Sequence, residues 1–197
     1  NAYLVAADPD VSGEAVERQY LELVEGMRRS VDLPLAVKIG PYFSSMANMA
    51  KRLADAGADA LVLFNRFYQP DIDLEQLAVA PNLRLSHSPE GLIVLRWLAI
   101  VRDHLSIDLA ATTGVHEADD AVKAILAGAD VVMMASGLLR NGPSQAATVL
   151  AGLRSWFEDG GYTSVAQARG SLSQRNTPDP AAFERANYLQ TLASYSS

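Results

Sequence analysis

The 197-residue chain is acidic, with a formal net charge of −7 and a pI of about 4.9, and it contains no cysteine. The charge disfavours nucleic acid or an anionic membrane surface as the main partner, and the lack of thiols excludes disulfides, thiolate metal sites and a cysteine nucleophile. Hydrophobic residues make up 49% of the chain, enough for one sizeable core, and no apolar run reaches transmembrane length. We expect a cytoplasmic protein that acts on a small molecule.

Apolar segments alternate with amphipathic segments along the chain, an order that favours a parallel α/β fold. The predicted strands are Asn1–Ala6, Leu35–Ile39, Ala60–Phe64, Asp108–Ala111 and Val131–Met134. The predicted helices cover residues 12–30, 44–57, 92–104, 117–127, 143–157, 165–169 and 180–192. Residues 66–90 form a polar excursion in which 77–79 and 83–85 are predicted to pair as a hairpin. Asp71, Asp73 and Glu75 are interpreted there as a solvated loop.

The tetrapeptide Ala-Gly-Ala-Asp occurs twice, at residues 56–59 and 127–130, and each copy joins the end of a predicted helix to an apolar strand. Short connections of this kind are typical of a parallel α/β fold. The repeated units with candidate functional turns after the strands favour a (β/α) barrel over the alternative, a doubly wound sheet. A complete barrel has eight strands, so we expect residues 1–160 to supply the C-terminal five β/α units of a (β/α)8 TIM-type barrel. Residues 161–197 are expected to form a helical tail that packs on it. Since the chain opens within a predicted strand, we expect a fragment or a processed chain.

Polar side chains at the carboxyl ends of the strands are candidates for a site, because barrel enzymes bind ligands at that end. Lys38 interrupts an apolar strand, where its ammonium would serve an anionic or carbonyl group of a ligand or pair with a carboxylate. Asn65 directly follows another apolar strand, and its amide would contact a ligand or form a turn. Arg66 is either an anion contact or an ordinary exposed arginine. His116 is interpreted as a helix-start residue, and no spacing of histidines and carboxylates indicates a metal site.

Two turns of small residues, Thr112–Val115 and Ala135–Gly137, follow the last two predicted strands. Each precedes a predicted helix, where unpaired N–H groups and the helix dipole favour an anion. Gly114 would let the backbone approach such a ligand, and Ser136 would add a hydroxyl donor. Barrel phosphate sites commonly use the turns after the seventh and eighth strands. We therefore predict a phosphate site here, with plain strand-to-helix turns as the alternative.

Several segments of the chain resemble the flavin-dependent dihydroorotate dehydrogenases, and most closely the branch of dihydroorotate dehydrogenase-like proteins. The matching segments are residues 36–43, 63–73, 108–116, 133–143, 161–165 and 183–188. Their order and spacing make the match specific, and they are distributed along most of the chain, from residue 36 to residue 188. The resemblance implies a (β/α)8 barrel that holds FMN at its C-terminal mouth. It also implies the oxidation of dihydroorotate to orotate in pyrimidine biosynthesis.

The same resemblance assigns roles to residues by their position. It implies that Asn1 faces both flavin and substrate, that Lys38 hydrogen-bonds the isoalloxazine ring, and that Asn65 faces the substrate. Positive charge at Lys38 would stabilise a reduced, anionic flavin. The residues assigned to the FMN phosphate are Thr113, Gly114, Val115, Ala135 and Ser136.

Two positions depart from the family pattern. The phosphate turn of the family has two adjacent glycines, whereas the first of them is Thr113 in this chain. The catalytic Cys or Ser of the family corresponds to Leu4, which cannot take a proton. No catalytic residue is therefore assigned, and the identity of the substrate stays open.

Two other functions remain open on the sequence. The two turns alone suit a phosphate-binding barrel lyase or isomerase that uses no flavin. The chain also suits a non-catalytic half-barrel, since an incomplete barrel has open strand edges that another chain must cover. We expect either a homo-oligomer or a complementary N-terminal barrel half as the partner.

Overall fold

The computed structural model describes residues 1–184 as an open parallel sheet with helices between its strands. The helices are α1 (Gly13–Ser30), α2 (Met46–Asp55), α3 (Leu92–Arg102), α4 (Ala118–Ala127), α5 (Ser136–Asn141), α6 (Gln145–Asp159) and α7 (Val165–Ala168). The strands are β1 (Ala36–Ile39), β2 (Ala60–Leu63), β3 (Asp71–Asp73), β4 (Ala78–Ala80), β5 (Asp108–Ala111) and β6 (Val131–Val132). Pro180–Phe183 forms a 3-10 turn, so the predicted helix at 180–192 begins differently, and the rest of it lies outside the described residues.

The main sheet has four parallel strands in the order β1-β2-β5-β6. Helices α2, α3 and α4 each connect two neighbouring strands, and all three contribute side chains to one hydrophobic core. Crossover helices that lie on a single face, with the strands in sequence order, are the arrangement of a (β/α) barrel. A doubly wound sheet instead reverses its strand order and carries helices on both faces. The structure therefore confirms the barrel-type fold class.

One face of the sheet lies under these helices because alternate strand residues point the same way. The strand residues in this core are Val37, Ile39, Leu61, Leu63, Leu109 and Ala111. Met49 and Leu53 of α2 and Leu98 of α3 are fully buried against them. Burial of each such side chain stabilises the fold by about 1.5–3 kcal/mol. The helix-covered face thus holds the main core and fixes the directions of the strands.

The opposite face carries Lys38, Val62, Ala110 and Val131, which lie in register across the four strands. In a barrel this face lines the interior. Val131, at one end of the row, is 53% exposed. The side chains that would fill a closed barrel are thus partly open to solvent in the described part of this chain.

The strand predicted at Asn1–Ala6 does not form. The segment makes one ladder-like hydrogen bond to β1, in which the Ala2 N–H donates to the Lys38 carbonyl at 2.8 Å. Two residues later the Leu4 N–H donates to the Tyr20 hydroxyl at 3.1 Å instead of to the sheet. The prediction of five strands was wrong at this point because a side chain of α1 takes the donor that would continue the ladder.

The hairpin of the 66–90 excursion pairs residues 71–73 with 78–80, so the prediction that 77–79 pairs with 83–85 was wrong. β3 pairs with β4 antiparallel, with Ile72 opposite Val79. The Asp73 carboxylate accepts hydrogen bonds from the N–H groups of Glu75 and Gln76 at 2.8 and 2.9 Å and closes the turn. Such aspartate turns compete with extended pairing. Asp71 and Asp73 therefore belong to a strand rather than to a solvated loop, and residues 83–85 are not paired in it.

Both Ala-Gly-Ala-Asp turns fasten the amino end of the preceding strand. Asp59 accepts the Leu35 N–H at 2.7 Å, and Asp130 accepts the Leu109 N–H at 2.8 Å. Each carboxylate also binds an arginine from the preceding helix-to-strand region, Arg28 at 3.2 Å for the first and Arg102 at 2.7 Å for the second. The repeat is a structural unit at the edge of the sheet opposite the predicted site.

The segment after α6 packs back across α3 and α4. The N–H groups of Gly170, Leu172 and Gln174 donate to the carbonyls of Ile125, Leu126 and Ala99 at 2.9–3.0 Å. These bonds tie residues 170–174 to the helix-covered face of the sheet. None of the helices within residues 1–184 has both the length and the apolar content required to cross a membrane.

Candidate cofactor-binding site

The two predicted phosphate turns lie side by side at the carboxyl ends of β5 and β6. They approach each other at Gly137, where an added Cβ would stand 2.9 Å from the Met134 Cε, 3.1 Å from the Val115 carbonyl oxygen and 3.5 Å from the His116 Cα. A side chain at residue 137 would therefore force the turns apart. The structure brings together the two segments that the sequence pairs only by their position along the chain.

Thr113 keeps a backbone conformation that glycine adopts most readily. Its φ is +77°, and that of Gly114 is +78°. A β-branched residue in this region is strained and needs support from its surroundings. The Thr113 hydroxyl supplies one such contact by donating to the Phe64 carbonyl at 3.2 Å. The departure from the glycine pair thus leaves the turn in a glycine-like conformation.

Gly114 is confined by protein backbone. A Cβ on this residue would lie 2.4 Å from the Gly91 nitrogen and 3.1 Å from the Ser88 carbonyl oxygen. The close approach that the sequence attributes to a ligand is made here to the 3-10 turn Ser88–Gly91. This packing gives Gly114 a structural reason to be glycine, whether or not a phosphate binds beside it.

Ser86 is a site residue that the sequence reasoning missed. It is 3% exposed, and its hydroxyl accepts a hydrogen bond from the Gly114 N–H at 3.4 Å. Its own N–H donates to the Ser136 hydroxyl oxygen at 3.1 Å. Ser86 therefore connects the first turn to the second. No local pattern marks this serine, because it precedes Ser136 by 50 residues and lies in a stretch that resembles an ordinary loop.

His116 contacts Ser86 and is 7% exposed. Its Nε2 is 3.3 Å from the Ser86 hydroxyl oxygen. The Asp120 carboxylate accepts its N–H at 3.0 Å, and its carbonyl accepts the side-chain amide of Gln145 at 2.8 Å. His116 immediately precedes Glu117, the N-cap of α4, as expected for a helix-start residue. Its side chain nevertheless points to the candidate site.

Asn65 and Lys38 meet at the carboxyl ends of β1 and β2. The Asn65 amide is buried, and its nitrogen donates to the carbonyls of Ala2 at 3.0 Å and Lys38 at 3.3 Å. The amide thereby holds the leading segment against β1, and its substrate contact stays a prediction. The partly buried Lys38 ammonium forms no ion pair with a carboxylate of residues 1–184.

The leading segment places Asn1 and Leu4 outside the helix-covered core. Asn1 is exposed, and Leu4 is 37% exposed. Between them, the Tyr3 ring packs edge-on against Phe67 with centroids 4.5 Å apart. These contacts keep the segment near the carboxyl ends of β1 and β2, where the roles of Asn1 in binding flavin and substrate stay predictions.

Arg66 is engaged in an ion pair. Its Nε donates to the Glu90 carboxylate at 2.8 Å, and its Nη1 donates to the Arg84 carbonyl. Burial raises the pKa of Glu90, but the His87 N–H and the Arg66 guanidinium together lower it by more. The pKa of Glu90 is therefore below its usual value. Arg66 thus fastens the loop that carries Ser86 and is partly buried rather than exposed, and its role as an anion contact stays a prediction.

The carboxyl edge holds no cluster that would bind a metal ion. Within the described part of the chain, no three histidine, aspartate or glutamate side chains converge in the way a metal ion requires. The chemistry available at this edge is that of backbone and hydroxyl hydrogen-bond donors with lysine and arginine cations, of which Arg66 is paired with Glu90. Such groups suit a phosphate or another anion.

Comparison with known proteins decides the family. A family model described as Dihydroorotate dehydrogenase matches residues 9–157. The chain belongs to the dihydroorotate dehydrogenase family. Membership confirms the resemblance seen in the sequence and, with the one-sided crossover helices, the assignment to a partial TIM barrel.

Individual relatives agree with the family. The chain is 32% identical over 154 residues to the "Dihydroorotate dehydrogenase B (NAD(+)), catalytic subunit" of Pelobacter propionicus. The aligned region covers 77% of this chain and 50% of that relative. The protein of the same name from Geotalea uraniireducens is 30% identical over the same shares. That of Petrotoga mobilis is 28% identical over 76% of this chain and 51% of its own. The chain thus spans about half the length of the curated relatives it matches.

Proposed function

We propose that this chain holds the phosphate of FMN at its two turns and serves a flavin-dependent oxidoreductase of the dihydroorotate dehydrogenase family. The observation that carries the proposal is the contact of the two turns at Gly137, at the carboxyl ends of β5 and β6. In barrel enzymes these ends commonly bind phosphate groups. Family membership is the reason to propose FMN in particular, since the turns alone would suit any phosphate.

The groups around the second turn fit a phosphate. The residue Ser136 lines a cavity of about 280 Å³, which Arg66 and Arg84 also line. The Arg140 guanidinium of α5 lies 3.5 Å from the carbonyl oxygen of Ser86, which is on the same loop as Arg84. Hydroxyl and guanidinium donors are common partners of phosphate. Arg66 and Arg84 already pair with Glu90 and Asp71, so the Ser136 hydroxyl and the Arg140 guanidinium are the donors that we propose for the phosphate end of FMN.

Lys38 fits the other end of the cofactor. Lys38 lies on the interior face of the sheet in register with Val62, and its ammonium has no carboxylate partner in residues 1–184. FMN, when bound, accepts a hydride from a reduced substrate. An unpaired ammonium at this edge would stabilise negative charge on the flavin ring, which is the role we propose for Lys38. Asn1 and Asn65 would face the substrate.

The proton acceptor of the reaction is not assigned to this chain. Leu4 has no ionisable group, and the hydroxyl nearest to its backbone is that of Tyr20. Burial raises the pKa of Tyr20 above its usual value, against the Leu4 hydrogen bond that lowers it. The phenol is therefore protonated at neutral pH and does not serve as a base. We propose hydride transfer from a small reduced substrate, with dihydroorotate as the first compound to test.

A partner completes the proposed enzyme. The relatives are named as catalytic subunits, a term that implies at least one further subunit in those proteins. We propose that a complementary N-terminal barrel half or a second copy of the chain covers the interior face of the sheet. The enzyme so formed is proposed to act in the cytoplasm, in pyrimidine biosynthesis or in a reaction related to it.

FMN binding tests the cofactor directly. Titration of the purified protein with FMN, followed by flavin fluorescence, is expected to show saturable binding that is lost on denaturation. A protein that leaves FMN fluorescence unchanged at millimolar concentrations would overturn the proposal. If such a protein binds sugar phosphates instead, the lyase or isomerase function takes its place.

Replacing Lys38 tests the proposed role of the cation. In the FMN-loaded protein we expect Lys38→Ala to slow flavin reduction by roughly a hundredfold to a thousandfold, the range for loss of one positioned electrostatic group. Stopped-flow absorbance measures the rate. Lys51→Ala is the matched control, because Lys51 is an exposed lysine on α2 that pairs with Asp55. An unchanged rate in Lys38→Ala would remove this lysine from the mechanism.

A further inference from the structure

The buried Ser86 has a set of contacts that the family assignment does not explain. Its hydroxyl contacts Gly114 of the first turn, whereas its N–H and its carbonyl contact Ser136 and Arg140, which both belong to α5. A loop residue that only filled space would need no such arrangement. Buried polar groups that satisfy one another in this way fix the relative positions of the segments that carry them.

The direction of the hydrogen bonds matters for the second turn. A serine hydroxyl has one hydrogen to donate and two lone pairs to accept with. The Ser86 N–H donates to one lone pair of the Ser136 oxygen. The hydrogen of the Ser136 hydroxyl is then left for another acceptor, and residue Ser136 lines the cavity beside this turn.

The first turn is affected in the opposite way. The Gly114 N–H is one of the donors that the sequence assigns to the phosphate, but here it donates to the Ser86 hydroxyl. His116 Nε2 contacts the same hydroxyl at 3.3 Å. The Ser86 oxygen is thereby held between a backbone donor and an imidazole, and it cannot move without breaking both contacts.

We propose that Ser86, held by His116, is a positioning residue that sets the spacing of the two turns and directs the Ser136 hydroxyl towards the FMN phosphate. This inference rests on the proposed function, because it assumes that the turns bind FMN. It assigns the direct phosphate contact to Ser136 and an indirect one to Ser86. It also explains why a serine is buried where apolar side chains would pack without needing partners.

Comparison of FMN with riboflavin isolates the phosphate. Riboflavin has the same ring and side chain but no phosphate, so its binding does not depend on the turns. Ser86→Ala keeps the N–H that donates to Ser136 but removes the hydroxyl that Gly114 and His116 hold in place. Because Ser136 is then positioned less firmly, we expect FMN binding to weaken about tenfold and riboflavin binding to change less than twofold. Flavin fluorescence measures both dissociation constants on the same preparations.

The control variant is Ser88→Ala, which removes a hydroxyl from the same loop. Ser88 donates to the Asp120 carboxylate at 2.8 Å and makes no contact with Ser136. We expect Ser88→Ala to leave the ratio of FMN to riboflavin affinity unchanged. His116→Gln, which alters the support of Ser86, should lower the ratio by less than Ser86→Ala does. It also provides a second variant if Ser86→Ala does not fold.

The outcomes separate this inference from the proposed function. If the unaltered protein binds neither FMN nor riboflavin, the proposed function is wrong, and the positioning role of Ser86, which depends on it, is overturned as well. If it binds FMN, and Ser86→Ala and His116→Gln both keep the same preference for FMN over riboflavin, only the positioning role is overturned. Equal weakening of FMN and riboflavin by Ser86→Ala would also count against it, because a general loss of structure does not discriminate between the two ligands.

Discussion

The two Ala-Gly-Ala-Asp turns make the same hydrogen bond and the same type of ion pair but have different surroundings. In each, the aspartate accepts the N–H of the preceding strand and binds an arginine. The Asp59 side chain is 50% exposed, whereas that of Asp130 is 8% exposed and binds a second arginine, Arg169. Identical local sequence therefore gives the same local contact, and the energetic weight of that contact is decided by what covers it.

The cover over the second turn comes from the end of the described chain. Arg169 directly follows α7, and the next residue, Gly170, donates its N–H to the Ile125 carbonyl. No segment of residues 1–184 supplies a second arginine to Asp59. Since exposed ion pairs contribute little and buried ones are costly to break, the two aspartates should differ in their effect on stability.

The largest expected effect is that of removing the buried carboxylate. We expect Asp130→Ala to lower the free energy of unfolding by about 3 kcal/mol, because it leaves Arg102 partly buried without its partner and the Leu109 N–H without its acceptor. Asp59→Ala should cost about 1 kcal/mol, as expected for a more exposed contact. Urea denaturation measures both. Equal losses would mean that burial does not distinguish the turns.

A smaller effect is expected when the second arginine is removed, which makes the Asp130 turn resemble the Asp59 turn. Arg169→Ala should cost about 1 kcal/mol, because this side chain is 37% exposed. Arg169→Ala combined with Asp130→Ala should cost less than the sum of the two single changes, since the partners share one interaction. Additive costs in this double-mutant cycle would show that the Arg169 contact does not contribute.

The smallest expected effect concerns an ion pair at the opposite edge of the sheet. The pKa of Glu90 in the folded protein is lowered, so Arg66 and the His87 N–H stabilise its charged form. This stability is present above the unfolded pKa and is lost as the pH falls through the folded pKa. Because both side chains are about one-third exposed, we expect less than about 1 kcal/mol.

Denaturation as a function of pH checks the sign of the Glu90 effect. The unaltered protein should lose stability relative to Glu90→Gln as the pH is lowered below about 4.5, the ordinary value for this side chain. A constant difference between the two proteins across this range would contradict the assignment. The carboxyl edge would then depend on ion pairing even less than the exposed Asp59 turn does.

Much of the candidate site was predictable because its parts are local. Lys38 within an apolar strand and the turns Thr112–Val115 and Ala135–Gly137 after two strands are visible in short windows of sequence. Parallel strands place their carboxyl ends at one edge, so the proximity of the turns follows from the predicted strand order. Ser86 was missed because its partners, Gly114 and Ser136, are 28 and 50 residues away.

The sequence by itself determined the alternation of strands and helices, the one-sided crossovers and the glycine-containing turns, since periodicity and turn chemistry act over a few residues. Only the tertiary structure decided the register of β3 with β4, the detachment of Asn1–Ala6 from the sheet and the second arginine on Asp130. Each of these depends on which distant group takes a particular hydrogen-bond donor or acceptor. The Leu4 N–H, taken by the Tyr20 hydroxyl, is one such donor.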